Sequence, residues 1–527
     1  MNRHVSRLLF VQIFAFAALV LPISSYARGR DASVEPGKTV LRLEAATVRT
    51  PAESTPDEIA AESRRPGNLI PFRPTMDLKA FYAAKAEAQA RTRPDQAQTR
   101  PETGPRVKSE WHPVAQAQPV PISSFDGVDQ TTAGPWTPPD THGAVGTNYF
   151  VEVTNSHLDV YTKSGVRVKS VTLNSFFGYS TQTLFDPRAV YDAFFDRWVI
   201  TAPAFQENST TQRFFIACST SGDPLGSWYF YNLNVTRNAG ELFDYPQLGL
   251  HTNALIVTAN IFAGNTQVGR QIYTFPINRM YSGGSLLYAL FTLAPAGTIT
   301  PPIVLDTNVN AFLLSAELSG STLQMYQLSN LLTPSSTTLT GPTNVAVPSY
   351  GLAPDAQQPT CANLLDTLDT RFVNASTQVG NSLWNVHTVN VSTPYGDRPR
   401  PRFYQISTPI SVLIQSGTFS TTATSFDFNA SIAANANGDA FVNWSATDPA
   451  RGVNAQINAA GRQFSDPSGS MGVALPVYTS SSCSTNSRWG DYSAVTLDPS
   501  DPLAAWVVNE TILGTTTWGS RIGKLSF

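Results

Sequence analysis

Six aspartates of this chain stand in a common context, each before a short β-prone run. The fullest example is residues 488–499, where Asp491 follows a Gly turn and Asp498 opens an Asp-Pro turn. With five looser copies, the anchor residues are Asp140, Asp186, Asp244, Asp369, Asp427 and Asp491. If each anchor begins the innermost strand of a repeated unit, the carboxyl groups meet at one end of the domain. Clustered carboxylates shift one another's pKa values apart, which acid–base chemistry requires.

The neighbours of the anchors would complete a site at the same end. The candidates for acid–base chemistry, with the tyrosines assisting, are Asp186, Asp244, Asp491, Tyr245 and Tyr492. The candidates for ligand contacts are His142, Arg188, Arg371 and Arg488. Arginine grips a carboxylate with two hydrogen bonds, so these side chains would hold an acidic sugar. The competing interpretation, which we favour for the anchors, is structural, because such an Asp accepts backbone N–H groups and fixes a turn.

Metal and cofactor chemistry has little support in the sequence. No two histidines have metal-ligand spacing, so no metal site is predicted. The turns at residues 435–439 and 498–501 offer oxygen ligands for Ca²⁺, but Asn-Gly-Asp is more often a plain hairpin turn. The chain has no Gly-x-Ser-x-Gly elbow, phosphate loop or dinucleotide fingerprint, which disfavours serine hydrolysis and nucleotide chemistry.

The spacing of the anchors predicts a repeat architecture. The gaps between them are 46, 58, 125, 58 and 64 residues, and the long gap leaves room for a degraded copy at residues 302–305. Short alternating or β-branched runs dominate from Val120 onward. We therefore predict an all-β fold, a seven-bladed β-propeller with units of about 60 residues. Few residues follow Asp491, so residues 120–125 should supply the missing outer strand and close the ring.

The first 118 residues differ from the remainder. Residues 1–27 have the charged start, apolar core and small-x-small end of a signal peptide. A transmembrane anchor is the alternative, but the apolar core is shorter than the ~20 residues needed to span. The mature chain is therefore expected to be secreted or periplasmic, with no membrane span.

Residues 28–118 are rich in Pro, Arg, Glu and Ala and read as a disordered leader. We favour a spacer over an inhibitory pro-peptide. Asp77 would cap a helix over residues 78–88, which would be marginal alone. The propeller domain, residues 119–527, holds 18 Lys/Arg against 26 Asp/Glu and no basic patch, so no nucleic-acid partner is predicted.

Three cysteines remain in the mature chain, too few for a disulfide scaffold. Cys361 and Cys483 each lie eight residues before an anchor, which places them in equivalent loops. A full unit separates them around the ring, so the sequence leaves their disulfide open. Cys218 lies in an apolar strand run and is predicted to be a buried thiol.

Several segments resemble a known group of proteins. Residues 138–146, residues 186–192 with 196–198, and residues 488–493 resemble uncharacterised secreted bacterial β-propeller proteins. Residues 221–228 are similar to the Asp-box of sialidase-like propellers, with Gly one position late and Ser in place of Thr. A more distant likeness is thus to sialidase- and arabinanase-like propellers. The resemblance implies a fold and an exported protein, and it places the box at a blade turn away from the catalytic face.

The leading functional prediction is recognition of an extracellular glycan or protein partner by a monomer, without turnover. The alternative is a glycan-active enzyme, namely a sialidase- or arabinanase-like hydrolase or a polysaccharide lyase. A purely structural surface component is the third class. Two carboxyl groups about 5–10 Å apart in an open pocket would favour the hydrolase, whereas aromatic platforms without such a pair would favour binding.

Overall fold

The computed structural model describes residues 37–64, 71–92, 118–205 and 211–527. Most of these residues lie in β-strands, which confirms the prediction of a mainly β protein. Residues 36–527 belong to one unit. The predicted signal peptide, residues 1–27, lies outside the described residues. Among the helices of the described ranges, none is both long and apolar enough to cross a membrane.

The elements before the repeats include two strands and two helices of the predicted leader. These are β1 (Gly37–Leu43), β2 (Thr47–Arg49), α1 (Pro56–Ser63) and α2 (Leu78–Ala90). A long strand and a short helix follow, β3 (Val120–Asp129) and α3 (Gln130–Ala133).

From His142 onward the chain forms antiparallel meanders of about four strands each. The first contains β4 (His142–Val145), β5 (Tyr149–Thr154), β6 (His157–Thr162) and β7 (Arg167–Thr172), followed by α4 (Leu173–Phe177). The second contains β8 (Thr183–Leu184), β9 (Arg188–Asp192), β10 (Arg197–Phe205), β11 (Arg213–Ser219) and β12 (Trp228–Asn234). The third contains β13 (Glu241–His251), β14 (Ala254–Ala263), β15 (Thr266–Pro276), α5 (Ile277–Met280) and β16 (Leu286–Leu293).

The later meanders continue the pattern. The fourth contains β17 (Ile299–Thr300), β18 (Pro302–Val304), β19 (Ala311–Ser315), β20 (Gly320–Ser329) and β21 (Thr338–Tyr350). The fifth contains β22 (Ser376–Val379), β23 (Ser382–Thr393), β24 (Gly396–Ser407) and β25 (Val412–Thr418). The sixth contains β26 (Phe426–Ala434), β27 (Ala440–Asp448), a 3-10 turn (Pro449–Arg451), β28 (Val453–Arg462) and β29 (Leu475–Thr479). The final meander contains β30 (Ala494–Leu497), β31 (Ala504–Gly514), β32 (Thr517–Ser526) and, from the start of the domain, β3.

One strand of each meander packs against its counterparts in the two neighbouring meanders, and together these seven inner strands form a closed cycle. β4 contacts β9, β9 contacts β13, and β13 contacts β18. β18 pairs in parallel with β22, which contacts β26; β26 contacts β30, and β30 contacts β4. At the join, β3 runs antiparallel to β32 from the pair Val120 and Ser526 to the pair Asp129 and Gly519. The expectation that residues 120–125 supply the outer strand of the final meander is therefore confirmed.

The apolar core lies between neighbouring meanders. Val199 of the second meander packs with Val257 and Tyr273 of the third. The rings of Phe150 and Trp506 lie 5.8 Å apart and join the first meander to the final one. Because both faces of a meander are covered by its neighbours, strands such as β14 and β31 are mostly apolar and lack polar alternation.

The fourth meander departs from the repeat. The sequence places a degraded copy at residues 302–305, and there the structure has the three-residue strand β18. This strand pairs in parallel with both β13 and β22, and so links the inner strands of the third and fifth meanders in one ten-stranded sheet. Asp306 follows the strand, and its carboxylate accepts the backbone N–H groups of Asn308 and Gly380.

The expected disordered leader is wrong for residues 37–64 and 71–92. β1 adds to β16 at the outer edge of the third meander, and β2 adds to β12 of the second. An outer strand has unpaired N–H and C=O groups, and the leader satisfies them by pairing. The predicted helix is confirmed as α2, with the Asp77 side chain accepting the N–H of Ala80. Its Phe81 and Lys85 are buried against the domain, which explains why a marginal helix is ordered.

The disulfide that the sequence left open is present. Cys361 and Cys483 are bonded, with their Cα atoms 5.8 Å apart. They meet because the long connection between β21 and β22 reaches across to the loop before β30, where the Asp366 N–H donates to the Ser487 carbonyl at 2.8 Å. Cys218 is a buried free thiol, as predicted, and burial raises its pKa.

The Asp-box-like segment is a turn between β11 and β12. The Asp223 carboxylate accepts the N–H of Leu225 at 2.9 Å, and the Trp228 indole donates to the Pro224 carbonyl at 3.1 Å. The segment stabilises a hairpin, as the resemblance implies.

Candidate functional site

The backbone is strained just before the inner strands β4 and β9 and at irregularities within β13 and β26. Asp140, Asp186, Tyr245 and Asn429 have φ angles of 50°, 46°, 54° and 50°. Asp and Asn tolerate this left-handed region, whereas an aromatic residue such as Tyr245 rarely adopts it. Such a conformation costs of the order of 1–3 kcal/mol and is found preferentially at functional sites. We call the end of the ring where Asp140, Asp186, Asp244, Asp369 and Asp491 lie the mouth; the sixth anchor, Asp427, instead accepts from Trp444 and pairs with Arg400.

Asp140 joins the first, second and final meanders. Its Oδ1 accepts the backbone N–H of Asp491 at 3.0 Å, and its Oδ2 accepts the side-chain amide of Asn155 at 2.8 Å. The same Asn155 accepts the N–H of Asp186 at 2.7 Å. Asp140 therefore fixes the backbone as the structural interpretation of the anchors requires.

Asp186 and Tyr492 form a buried pair across the mouth. The Tyr492 hydroxyl donates to Asp186 Oδ2 at 2.8 Å. The guanidinium carbon of Arg188 lies 3.3 Å from the centre of the Tyr492 ring. Arg188 also donates to Asn374 Oδ1 at 2.8 Å and to the Pro246 carbonyl at 3.1 Å. Arg188 belongs to the second meander and its partners belong to the third and final meanders and to the connection before the fifth, so its side chain lies near the axis of the ring.

The other two predicted arginines are already paired with anchors. Arg371 donates through Nε and Nη2 to the two carboxylate oxygens of Asp369, both at 2.8 Å. Arg488 donates to both oxygens of Asp491, at 2.8 and 2.9 Å, and to Asp366 at 2.6 Å. The Arg371 pair is fork-shaped, whereas Arg488 is held through Nη2 by Asp491 and through Nη1 by Asp366. Both arrangements use two nitrogens and so fix the plane of the guanidinium group. A ligand carboxylate would therefore have to compete with these internal partners.

Tyr245 and Asp244 lie at a bulge in β13. The Tyr245 hydroxyl donates to the Asp491 carbonyl at 3.2 Å, and its ring centre lies 5.2 Å from that of Tyr492. Asp244 Oδ2 is 4.0 Å from Nη1 of Arg73, a residue of the leader. The structure thus brings all five predicted acid–base candidates to the mouth.

His142, predicted as a ligand contact, hydrogen-bonds to the neighbouring meander. Its Nδ1 accepts the backbone N–H of Ala189 at 3.3 Å, which joins the first and second meanders. Burial, and then the nearby charge of Arg188, lower its pKa well below the usual value. The imidazole is therefore neutral at pH 7, as an acceptor must be.

Burial governs the protonation of Asp186 and Asp140. Desolvation, with a further contribution from the Asp244 charge, raises the pKa of Asp186 to about 7. Desolvation, followed by the Asp491 charge, raises the pKa of Asp140 well above its usual value. Burial thus favours the protonated form of Asp186 relative to an exposed aspartate.

Pairing with arginine lowers the pKa of an anchor carboxyl group, against the effect of burial. Burial raises the pKa of Asp491 despite the charge of Arg488. Burial alone would also raise the pKa of Asp369, but the charge and hydrogen bonds of Arg371 outweigh it and lower that pKa. The anchors thus differ in proton affinity, as clustered carboxyl groups are expected to do.

The leader covers the mouth. Phe72 and Arg73 are only 8% and 9% exposed. The guanidinium carbons of Arg371 and Arg488 lie 4.7 and 5.7 Å from the centre of the Phe72 ring. Arg371 Nη2 also donates to the Arg73 carbonyl at 2.9 Å. The carboxyl and tyrosine groups beneath are therefore shielded by a segment of the same chain.

Sequence reasoning missed Glu510 as well as the leader contacts. This carboxyl group in β31 is buried, accepts the N–H of Gly490 at 2.5 Å, and has a pKa raised by desolvation. With Arg488 and Trp518 it lines a crevice with about 220 Å³ of space, open solvent included. The signal was available, because residues 509–511 interrupt an apolar strand with three polar side chains.

The oxygen-rich turns hydrogen-bond within the protein. Asn435 Oδ1 accepts the N–H groups of Asn437 and Asp439, both at 3.0 Å. The Asp498 carboxylate accepts from Lys163 at 2.7 Å and from the Trp506 indole at 2.9 Å. In the part of the chain that the structure describes, no three His, Cys, Asp or Glu side chains group together as metal ligands would.

Comparisons with known proteins give remote structural likenesses. No family model matches the chain, and no curated protein matches it. The Trypanosoma rangeli sialidase in complex with sialic acid aligns at 12% identity and a TM-score of 0.36, over 70% of this chain and 57% of that one. The chain thus spans less than two thirds of that sialidase. The Dos1 propeller aligns at 11% identity and a TM-score of 0.34, over 77% and 95%. An exo-β-1,3-galactanase from Phanerochaete chrysosporium aligns at 10% identity and a TM-score of 0.30, over 78% and 96%.

Proposed function

We propose that this protein is a secreted, monomeric, seven-bladed β-propeller that recognises an extracellular glycan or protein partner at its mouth, without turnover. The blades are the meanders, and the cyclic packing of their inner strands supports the ring. Export is supported by the predicted signal peptide at residues 1–27. The disulfide between Cys361 and Cys483 is compatible with it, since disulfides persist in oxidising compartments.

One observation carries the recognition function, namely that the mouth already holds an extended segment. Residues 71–73 lie across it, with an aromatic ring on two guanidinium groups and a carbonyl group on one of them. Aromatic and arginine side chains are the groups that dominate binding sites in proteins. Their neighbour Tyr245 has a backbone conformation that the surrounding structure must hold in place.

The state of the anchors favours binding over turnover. Asp140 is bonded to a backbone N–H and an amide, and Asp491 is bonded to Arg488. Asp369 is held in the same way by Arg371. Carboxyl groups committed to the fold are not free to transfer protons to a substrate.

The enzyme alternative has one specific observation in its favour, the pair of Asp186 and Tyr492. A carboxyl group with a pKa of about 7 is suited to general acid–base catalysis at neutral pH. Burial raises the pKa of Tyr492 well above its usual value despite the charge of Arg188 on the face of its ring, so its hydroxyl stays a neutral donor to Asp186. In this alternative Asp186 acts as acid or base, and Asp244, whose charge acts on it, is the second carboxylate.

The deciding experiment screens the chain against glycans and extracellular proteins and scores both binding and product release. It uses the intact chain and a folded chain cut by a specific protease on both sides of residues 71–92. We expect saturable binding to the cut form with no product. Product release that Asp186→Asn and Tyr492→Phe abolish, in variants whose melting temperatures are unchanged, would replace recognition with glycan catalysis.

A further inference from the structure

The leader segment 71–92 is held on the domain at several points, two of which lie at or beside the mouth; its end is held by Arg91, whose Nε donates to Asp397 Oδ2 at 2.6 Å. The first is the pair Phe72 and Arg73, seated over the anchors. The second is helix α2, whose Lys85 ammonium donates to Asp355 Oδ1 at 2.7 Å and to Thr367 Oγ1 at 2.8 Å. The segment therefore binds through side chains over its length, as a bound peptide does.

The first docking point contacts three chemical groups of the dipeptide Phe72-Arg73. The Phe72 ring stacks on the guanidinium groups of Arg371 and Arg488, which is a cation–π contact. The carbonyl group of Arg73 accepts from Arg371 at 2.9 Å. The guanidinium of Arg73 faces Asp244 Oδ2 at 4.0 Å. Aromatic ring, carbonyl and cation are thus each met by a complementary group.

The receiving groups are held in place without the leader. Arg371 is fixed by both oxygens of Asp369, and Arg488 by both oxygens of Asp491. Their planes therefore stay oriented when Phe72 is removed. A site whose polar groups are oriented beforehand loses little free energy to ordering when a ligand binds.

The apolar contacts point to the same conclusion. Phe72 and Phe81, one residue from each docking point, have ring centres 5.3 Å apart. Together they cover Leu368 and Val373, which belong to the connection between β21 and β22. Without the segment, an apolar floor beside fixed arginines would be open to another chain.

We propose that the mouth is a peptide-binding site for an extended segment in which an aromatic residue precedes arginine, followed by a helix, and that residues 71–92 occupy it in cis. A protein partner with the same chemistry then competes with the leader for the site. This rests on the proposed function and names its ligand as a peptide, while a glycan becomes an outcome of the test.

The test uses the full chain with specific protease sites placed within residues 65–70 and 93–117, cut after folding. The probe is a fluorescent synthetic peptide of residues 71–92, measured by anisotropy. The peptide should bind the cut protein after the native fragment is diluted away, and should bind the uncut chain at least tenfold more weakly. Peptides with Phe72→Ala or Arg73→Ala should lose tenfold or more in affinity. The matched control Lys79→Ala, at an exposed position of α2, should bind as the parent does.

A double substitution checks the cation contact. Asp244→Asn in the protein should weaken binding of the parent peptide and leave binding of the Arg73→Ala peptide unchanged. Equal losses for both peptides would show that Asp244 acts on the fold and not on the arginine, and would overturn that contact.

A second measurement covers the case in which the native fragment never dissociates. In the uncut chain, Phe72→Ala and Arg73→Ala should raise amide hydrogen exchange in α2 at least tenfold relative to Lys79→Ala. Unchanged exchange, or peptides that bind equally well with and without these substitutions, overturns the proposal. A glycan that binds the cut protein and is not displaced by the peptide would sink this inference and leave the proposed function standing. If the leader peptide binds as expected but the screen finds no extracellular glycan or protein partner, this inference stands and the proposed function fails.

Discussion

Arg371 shows how one side chain can serve both the fold and a ligand. Two of its N–H groups are committed to Asp369, yet its flat face and one further hydrogen bond are turned to the leader. Because the pair with Asp369 is buried, each of the two charges is stabilised by the other. The sequence left open whether Arg371 contacts a ligand or pairs with a buried carboxylate. The structure pairs it with Asp369, and this pair orients the guanidinium group that contacts the leader.

Arg371→Ala should lower the free energy of unfolding by about 3–5 kcal/mol, because it leaves the buried Asp369 without its partner. Adding Arg188→Ala should deepen the loss, since Asn374 and the Pro246 carbonyl lose their donor. Denaturant titration with fluorescence detection measures both. The control Arg42→Ala removes an exposed guanidinium and should leave the midpoint in place. A small loss of stability together with a large loss of ligand binding would show that Arg371 serves the ligand and not the stability of the fold.

Glu152 gives a prediction about pH. It is fully buried in β5, accepts the Val128 N–H of the closing strand at 2.9 Å, and has a pKa that desolvation raises to about 8. Between about pH 4.5 and 8 the unfolded chain releases a proton that the folded chain keeps. The contribution of Glu152 to stability should therefore fall as pH rises through this window, by at most about 1.4 kcal/mol per pH unit.

Denaturant titrations at pH 5, 6.5 and 8 should show this decline in the parent protein and a shallower one in Glu152→Gln. Glutamine keeps the acceptor for Val128 and cannot ionise. The exposed Glu87 of α2 is the control, and Glu87→Gln should retain the parental slope. Identical slopes for all three proteins would assign the decline to other buried carboxyl groups.

At the scale of elements, long connections and the leader bring distant parts of the chain together. The connection between β21 and β22 carries Cys361, Asp366 and Asp369, and so supplies a disulfide, an ion pair and an anchor. Strand periodicity predicts the strands around such a segment but gives no information on where the segment itself goes. The same holds for β1 and β2, whose pairing depends on the free edges of β16 and β12.

Non-reducing peptide mapping should find Cys361 linked to Cys483, with Cys218 free and unlabelled until the protein unfolds. Replacing both linked cysteines by serine should lower stability by about 2–5 kcal/mol, because the bond closes a loop with a sequence separation of 122 residues. It should also weaken the ion pair between Arg488 and Asp366, which joins the same two connections. Two free thiols at positions 361 and 483 in the native protein would contradict the structure here.

At the scale of the whole molecule, the ring is joined by hydrogen bonds between segments far apart in sequence. Strand β3 completes the sheet of β30, β31 and β32, and Phe125 packs against Tyr161 and Trp506. No covalent bond closes this join within the described residues, so it depends on a single strand.

Deleting residues 119–126 should destabilise the domain as a whole, because it exposes the edge of β32 and removes the apolar cover of Trp506. Deleting residues 28–110 should cost less, since it removes strands added outside complete sheets. It should still lower the melting temperature, because β1, β2 and α2 are packed on the domain. Scanning calorimetry compares the two deletions. A larger effect for residues 28–110 would mean that the leader, and not β3, holds the ring together.

Regular features of the sequence predicted much of this fold. Repeated Asp-turn-strand units located the inner strands, and the short remainder after Asp491 predicted the closing role of residues 120–125. The grouping of Asp186, Asp244, Asp491, Tyr245 and Tyr492 followed from the same repeat. The pairing of Arg371 and Arg488 was only one of two options, because composition cannot tell a buried partner from a ligand contact. Phe72 was missed because no pattern in the sequence around it indicates that its ring contacts Arg371 and Arg488.

The join between β3 and β32 also has a consequence in time. Arg521 hydrogen-bonds Ser124, and 397 residues of chain separate them. During synthesis, β3 is made long before its partner β32, and its edge stays unpaired in the interval. Contacts this remote in sequence form slowly, because loop-closure entropy is lost before they stabilise anything. A chain of this design therefore spends its most aggregation-prone interval just before its last strand is made, when a chaperone that shields β3 would raise the yield most.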